Sequence, residues 1–303
     1  MKALITGGAG FIGSHTVETF LSNGWEVVVV DSLITGNKEN LPTDVRVIEM
    51  DIADHTVIDM IEFEKPNVVI HLAAQADVQH SILAPDHDTI SNVLGTVHVL
   101  EGCRKTKAKI VFSSTAGVYG DSDVIPLSEN SPLDPLSFYA LSKKAAEEYI
   151  RLYSNLFGIP YTILRYSNVY GPRQKAKGEG GVVAIFLERL KKKIPLTVFG
   201  DGNQTRDFIY VKDVANANFQ AATNATNSTL HVSTRVSTSV NQIISYLKEL
   251  HPEHFYVEYV DMRKGEIIDS CLDNTKALEN LSWKPQFDLQ VGLRHTYDYF
   301  FRH

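Results

Sequence analysis

The sequence predicts an α/β protein: a Rossmann-type, doubly wound parallel sheet with a smaller α/β substrate-binding lobe behind it. Three observations carry this expectation. Short β-branched apolar runs alternate with helical patterns through the first half, as crossover-connected parallel strands do. The runs are nearly continuous, the mark of strands covered on both faces. A glycine cluster directly follows the first run and precedes the first helical pattern, where a nucleotide-binding turn belongs.

In chain order, strands are expected at residues 3–6, 26–31, 45–50, 68–73, 109–113 and 161–165. Past residue 166 the alternation loosens, with a helix expected around 182–193, a strand at 196–199 and a helix at 240–250. Neither an internal repeat nor a low-complexity linker interrupts the chain.

Length and composition bound the function. With 303 residues and 44% hydrophobic content there is ample material for a large core. The formal net charge of −7, with no basic run beyond Lys191-Lys192-Lys193, gives no footprint for nucleic acid. Cys103 and Cys271 are the only cysteines, too few for a disulfide framework or a thiolate metal centre, so no metal is expected and a reducing cytosol fits. The opening Met1-Lys-Ala-Leu-Ile-Thr6 reaches the glycines at once, leaving no room for a signal peptide. No apolar run approaches the ~18 residues of a membrane span. The expectation is a soluble, cytoplasmic protein with no membrane partner.

Gly7, Gly10 and Gly13 stand between the first strand and the first helix. Glycines there let the backbone turn tightly and approach a pyrophosphate, which the helix N-terminus favours through its free N–H groups and dipole. The second strand ends in Asp31, whose carboxylate can accept hydrogen bonds from an adenosine ribose and would repel a 2′-phosphate. NAD is therefore expected over NADP, with an NAD-binding domain over 1–165. Residues 166–303 are then mainly the substrate-binding lobe, with some segments returning to pack on the first domain. Asp51 and Ile52 end the third strand where they can flank the adenine, and Leu72, Ala73 and Ala74 end the fourth beside the cofactor. His71 reads as a packed core histidine.

Tyr139 and Lys143 are four residues apart at the start of a helical pattern, so they share one face. A phenol titrates near pH ~10 and needs nearby positive charge to act as a base at neutrality. Helical spacing alone does not separate a catalytic pair from chance.

The larger pattern does. Thr6-Gly-Gly-Ala-Gly-Phe-Ile-Gly13, Asp31, His71-Leu-Ala-Ala74, Ser113-Ser-Thr115 and Tyr139-x-x-x-Lys143 occur in the order in which they occur in the extended short-chain dehydrogenase/reductase family, which the chain resembles. Segments 164–174, 178–190, 199–217 and 263–267 look like its nucleotide-sugar epimerase branch, that of the UDP-glucose 4-epimerases. The resemblance implies a catalytic triad of Thr115, Tyr139 and Lys143. On the cofactor side it implies Phe11 and Ile12 within the glycine run and Asn92. For the substrate it implies Ser114, Asn168 on the pyrophosphate, Arg206 and Arg263 neutralising it, Glu266 near the uridine ribose and Ser270 near the sugar's C2 substituent.

Dehydratases and decarboxylases of this branch resemble TDEVYG and TSEVYG, whereas this chain has Thr115-Ala116-Gly117-Val118-Tyr119-Gly120. The carboxylate for chemistry beyond hydride transfer is missing. The reaction implied is 4-epimerisation of a UDP-hexose, UDP-glucose with UDP-galactose and also their N-acetyl forms. The alternatives are a nucleotide-sugar reductase, dehydrogenase or dehydratase, or an NAD sensor without catalysis. A homodimer through the helices around 92–105 and 143–157 is implied as well.

Overall fold

The computed structural model describes residues 1–178, 181–262 and 267–302. Its first six strands are β1 (Lys2–Thr6), β2 (Glu26–Asp31), β3 (Arg46–Glu49), β4 (Val68–His71), β5 (Lys109–Thr115) and β6 (Tyr161–Tyr166). They are followed by β7 (Asn168–Tyr170), β8 (Leu196–Phe199), β9 (Thr205–Tyr210), β10 (Ser228–Val232), β11 (Ser237–Ser239), β12 (Val257–Val260) and β13 (Asp269–Ser270).

Seven strands form one sheet in the order β10-β6-β5-β4-β1-β2-β3, every neighbouring pair parallel. Both faces are covered, which is why the strands read as unbroken apolar runs. The helices Phe11–Ser22, Val211–Thr223 and Thr275–Leu281 contribute Val17, Phe20, Val214, Ala217 and Ala277 to the core on one face. The helices Val57–Glu64, Gly95–Thr106 and Phe138–Phe157 contribute Ile61, Leu100 and Ile150 to the other. Chain order reverses between β1 and β4, so the C-terminal ends of these two strands open a crevice, the place where such sheets bind ligands.

Residues beyond 165 do two different things. Ser228–Val232 returns to the large sheet as β10, pairing with β6 from Ser228↔Thr162 to Val232↔Tyr166. The rest builds a lobe of small sheets, with β9 paired to β7, β11 and β13, and β8 to β12. Phe186, Leu187, Val198, Ile243, Leu247 and Leu293 form the core of that lobe. Among the described residues no helix is long and apolar enough to cross a membrane.

Candidate active site

A cavity of about 540 Å³ occupies the crevice, within the usual range for a small-ligand site. Its wall takes Gly7, Gly10 and Phe11 from the glycine turn and the helix start, Asp31 and Ser32 from the end of β2, Asp51 and Ile52 from just after β3, and Leu72, Ala73 and Ala74 from just after β4. Gly7 sits at φ 68°, and a Cβ there would lie 2.7 Å from the Ala73 nitrogen. The turn must be glycine both for its left-handed backbone and for its approach to β4.

Ile12 and Gly13 stand behind this wall. A side chain on Gly13 would run into the carbonyl of Gly7, so Gly13 sets how closely the helix approaches the strand, and Ile12 packs into the core.

Asp31 lines the cavity while its own carboxylate is fixed. Oδ2 accepts the Ala9 N–H at 2.9 Å and Oδ1 the Leu33 N–H at 2.8 Å. One carboxylate thereby ties the glycine turn to the loop after β2 and presents its negative face to the cavity.

Thr115 ends β5 and Tyr139 opens the Phe138–Phe157 helix, which Ser137 caps by accepting the Ala140 N–H at 3.1 Å. Neither these two residues nor Lys143 belongs to the wall of the cavity; they stand on elements beside it. Thr115 Oγ1 accepts the Gly117 N–H at 3.1 Å, an acceptor role that leaves the hydroxyl proton for a reacting oxygen. Tyr139 is half-buried, close enough to Tyr166 to help raise that phenol's pKa, after the larger effect of burial. Lys143 is buried, its Nζ donating to the Ser113 carbonyl at 3.0 Å and lying 4.8 Å from the centroid of the Phe112 ring. The ammonium is thus held at the end of β5 one helical turn from Tyr139.

Two expected contacts lie behind the site. Ser114 is buried and donates to Glu147 Oε1 at 2.6 Å; alternation along β5 turns it away from the face that carries the Thr115 side chain. Asn92, buried in a π-helical turn over Ile90–Leu94, accepts the Gln75 N–H at 2.8 Å and donates to the Gln75 carbonyl at 2.9 Å. It shapes the loop that lines the cavity without lining it itself.

His71 is a core histidine, but it has partners. Thr96 gives its single hydroxyl proton to the Asn92 carbonyl at 2.6 Å, so His71 Nε2 is the donor in its 3.0 Å contact with Thr96. Nδ1 then accepts from Thr6 at 2.7 Å. Burial first, and the Lys143 charge second, push this imidazole down to about 3, and it remains neutral.

Beneath Ser114 runs a buried polar chain. Arg165 Nη1 donates to the Tyr119 oxygen at 2.6 Å. His231 Nδ1 donates to the Asp273 carbonyl at 2.9 Å, which leaves Nε2 to accept from Tyr119 at 2.5 Å. Burial lowers His231 to about 4, consistent with that neutral tautomer.

In the second lobe Arg206 and Ser270 are neighbours across the β9–β13 pairing. The Arg206 guanidinium donates to the carbonyls of Thr205 at 2.8 Å, Ile268 at 3.0 Å and Ile267 at 2.6 Å. Ser270 is nearly buried and Asn168, half-buried, opens β7. Arg263 and Glu266 lie outside the described residues.

The profile of the NAD dependent epimerase/dehydratase family matches residues 3–232. The chain belongs to this family. It is 47% identical over 297 residues to a Methanocaldococcus jannaschii protein provisionally named UDP-glucose 4-epimerase, covering 97% of this chain and 96% of the other. Its structure matches that of UDP-glucose 4-epimerase with UDP-glucose from Thermotoga maritima with a TM-score of 0.95 and 41% identity, over 100% of this chain and 99% of that one. The Thermus thermophilus UDP-glucose 4-epimerase in complex with NAD gives a TM-score of 0.94 at 38% identity, over 99% of each chain.

As a member of an NAD-dependent family the chain can be tested against that cofactor, and its residues fit. Glycine backbone faces the crevice, the Asp31 carboxylate suits ribose hydroxyls, and Ile52 and Leu72 offer apolar surface. Among the described residues no group of acidic, histidine and cysteine side chains could hold a metal. Sequence reasoning missed Gln75, Thr35 and the basic residues Arg173, Lys175 and Lys177 on the wall. Only the last had a visible signal, three cations at alternate positions just after the strand that carries Asn168.

Proposed function

We propose that the chain is a UDP-hexose 4-epimerase interconverting UDP-glucose and UDP-galactose. The observation that carries this reading is the placement of Thr115, Tyr139 and Lys143 at the ends of β5 and its neighbouring helix, beside the dinucleotide cavity. Tyr139 removes the proton of the sugar 4-hydroxyl and later returns it. Lys143, fixed on the Ser113 carbonyl, supplies the positive charge that favours the phenolate. Thr115 donates a hydrogen bond to O4 and steadies the 4-keto sugar. Bound NAD supplies a reversible acceptor for the C4 hydrogen, which lets C4 invert with no net redox change. Ala116 and Gly117 bring no carboxylate to the site, so elimination or decarboxylation lacks its acid and base.

Residues 166–303 supply most of the sugar-nucleotide pocket in this reading, with Asn168, Arg206 and Arg263 on the pyrophosphate and Glu266 on the uridine ribose. Guanidinium forks match phosphate oxygens in a way an ammonium does not. Ser270 leaves room beside the sugar's C2 for an N-acetyl group, extending the substrates to the N-acetylhexosamine pair. Cytoplasmic UDP-sugars are the expected pool.

A homodimer is part of the proposal. Leu141, Tyr149, Leu152 and Leu156 are exposed along one face of the Phe138–Phe157 helix, and Ile90 and Leu94 are exposed at the start of the neighbouring helical stretch. Exposed apolar side chains gathered on two neighbouring helical stretches support an association face there. A Leu152→Glu, Leu156→Glu double variant that sediments like wild type would contradict it.

The deciding experiment is incubation of purified protein with UDP-glucose or UDP-galactose, without added NAD, and separation of the products. Interconversion supports the epimerase. Turnover only with stoichiometric added cofactor would make the chain a dehydrogenase or reductase, and NAD binding without turnover would make it a sensor.

A further inference from the structure

Every lysine and arginine on the wall of the dinucleotide cavity, among the described residues, comes from one short segment of the second half of the chain. The wall carries Asp31, Asp51 and Asp77 from the first half, whereas its Arg173, Lys175 and Lys177 follow β7 at alternate positions. The glycine turn offers peptide dipoles but no full charge, so among the described residues the lysine and arginine charges on this wall all come from this segment.

The segment is fastened at two places. The Pro172 carbonyl accepts from His15 Nε2 at 3.1 Å, and Arg173 Nη2 donates to Glu18 Oε1. Both partners lie on the helix that leaves the glycine turn. Burial works against the Glu18 carboxylate, but His15 and Arg173 outweigh it and hold its pKa at about 2, so the anchor stays charged. Arg173 sits at φ 71°, a conformation unfavourable for a residue with a Cβ, and its Nη1 is buried without a hydrogen-bond partner in the protein. Two residues on, Lys175 Nζ donates to the Thr35 carbonyl at 2.6 Å. Thr35 belongs to the loop after β2 that lines the cavity with Ser32 and Ile34.

We propose that residues 172–178 are a basic strap that retains the dinucleotide, Arg173 and the two lysines countering its diphosphate while Lys175 pins the Thr35 loop over it. Whether the cofactor is resident or exchangeable is then set by a segment of the sugar-binding half and not by the glycine turn alone. The proposal rests on the cavity taking a dinucleotide and is independent of which sugar reacts.

The test follows release of NAD from the loaded holoprotein, trapping it with excess alcohol dehydrogenase and ethanol. A Lys175→Met, Lys177→Met variant is compared with wild type and with a Lys248→Met, Lys284→Met control of equal charge, both control lysines being exposed and away from the cavity wall. The strap predicts release about tenfold faster in the first variant, equivalent to roughly 1.4 kcal/mol, and near wild-type release in Lys175→Arg. Raising salt should speed wild-type release and change the strap variant much less. Strap-variant release at the wild-type rate, or equal acceleration in the control, would overturn the strap. Wild type that cannot be loaded with NAD would instead overturn the dinucleotide reading itself.

Discussion

Arg165 holds both carboxylate oxygens of Glu147, Nε to Oε1 at 2.9 Å and Nη2 to Oε2 at 2.6 Å, with both side chains almost wholly out of water. Glu147 lies one helical turn beyond Lys143 and two beyond Tyr139, and Arg165 comes from β6, so the pair sets the register of the Phe138–Phe157 helix against the sheet. A lone charge left in that interior is costly. Glu147→Gln should lower the unfolding free energy by about 3–5 kcal/mol, while Glu147→Leu with Arg165→Met should recover most of it. Urea titration measures both, and a single variant within about 1 kcal/mol of wild type would show the pair to be dispensable.

Tyr139→Phe removes one oxygen from a half-buried residue and should leave fold and bound cofactor intact. Turnover should fall by roughly 10²–10⁴-fold, the usual worth of a positioned acid–base group. Epimerase activity near that of wild type, with NAD content unchanged, would take the tyrosine out of the mechanism.

Ser270 pairs with Arg206 in the β9–β13 register, which places a small side chain beside a proposed pyrophosphate ligand. Wild type should turn over UDP-N-acetylglucosamine and UDP-N-acetylgalactosamine as well as the smaller pair. Ser270→Tyr should impair the acetylated pair by at least about tenfold and spare the other, since a steric block acts on the larger substrate. Equal impairment of both pairs would mean that Ser270 supports the pocket in another way.

Stability should decline on mild acidification. Burial foremost lowers His71 to about 3 and His231 to about 4, against 6.5 for a free imidazole. Between those values the unfolded chain binds more protons than the native one, so stability is full above pH 6.5 and lost as pH falls. Asp213 opposes this, because burial raises it to about 6 and the native carboxyl takes up its proton first. Burial raises the Asp207 carboxyl in the same sense, so the two carboxyls offset part of the loss, and the two histidines, which the unfolded chain protonates as pH falls from 7 to 5, set its direction. Urea midpoints at these two pH values give the comparison; an equal or higher midpoint at pH 5 would refute it.

Local pattern carried much of the fold. Residues 26–31, 196–199 and 240–250 read correctly to the residue, because each is a continuous or strongly periodic apolar stretch with clear ends. Ser228–Val232 did not. Its five residues sit among Asn, Ser and Thr, and only docking on β6 makes them a strand. The same limit governs the site. The glycine turn and Asp31 announce themselves because backbone geometry and charge fix residue type there. That Ser114 turns to Glu147 while Thr115 does not is a matter of strand phase among three adjacent hydroxyls. The partners of His71, Thr6 and Thr96, are distant in sequence and common in type, so no spacing reveals them.

Completion of the main sheet by β10 determines how this chain can be recombined. A graft that exchanged everything after residue 165 for the corresponding part of a relative would also exchange Ser228–Val232, whose five residues pair with Thr162–Tyr166, and the Val211–Thr223 helix, whose Asn218 donates to Thr16 at 3.1 Å. A single-crossover chimera therefore mixes two nucleotide halves rather than joining one intact half to a new sugar lobe. Truncation at the same point would leave β6 with an unpaired edge, open to strand addition from another molecule. Transplanting sugar specificity needs several crossovers, with residues 211–232 travelling alongside residues 1–165.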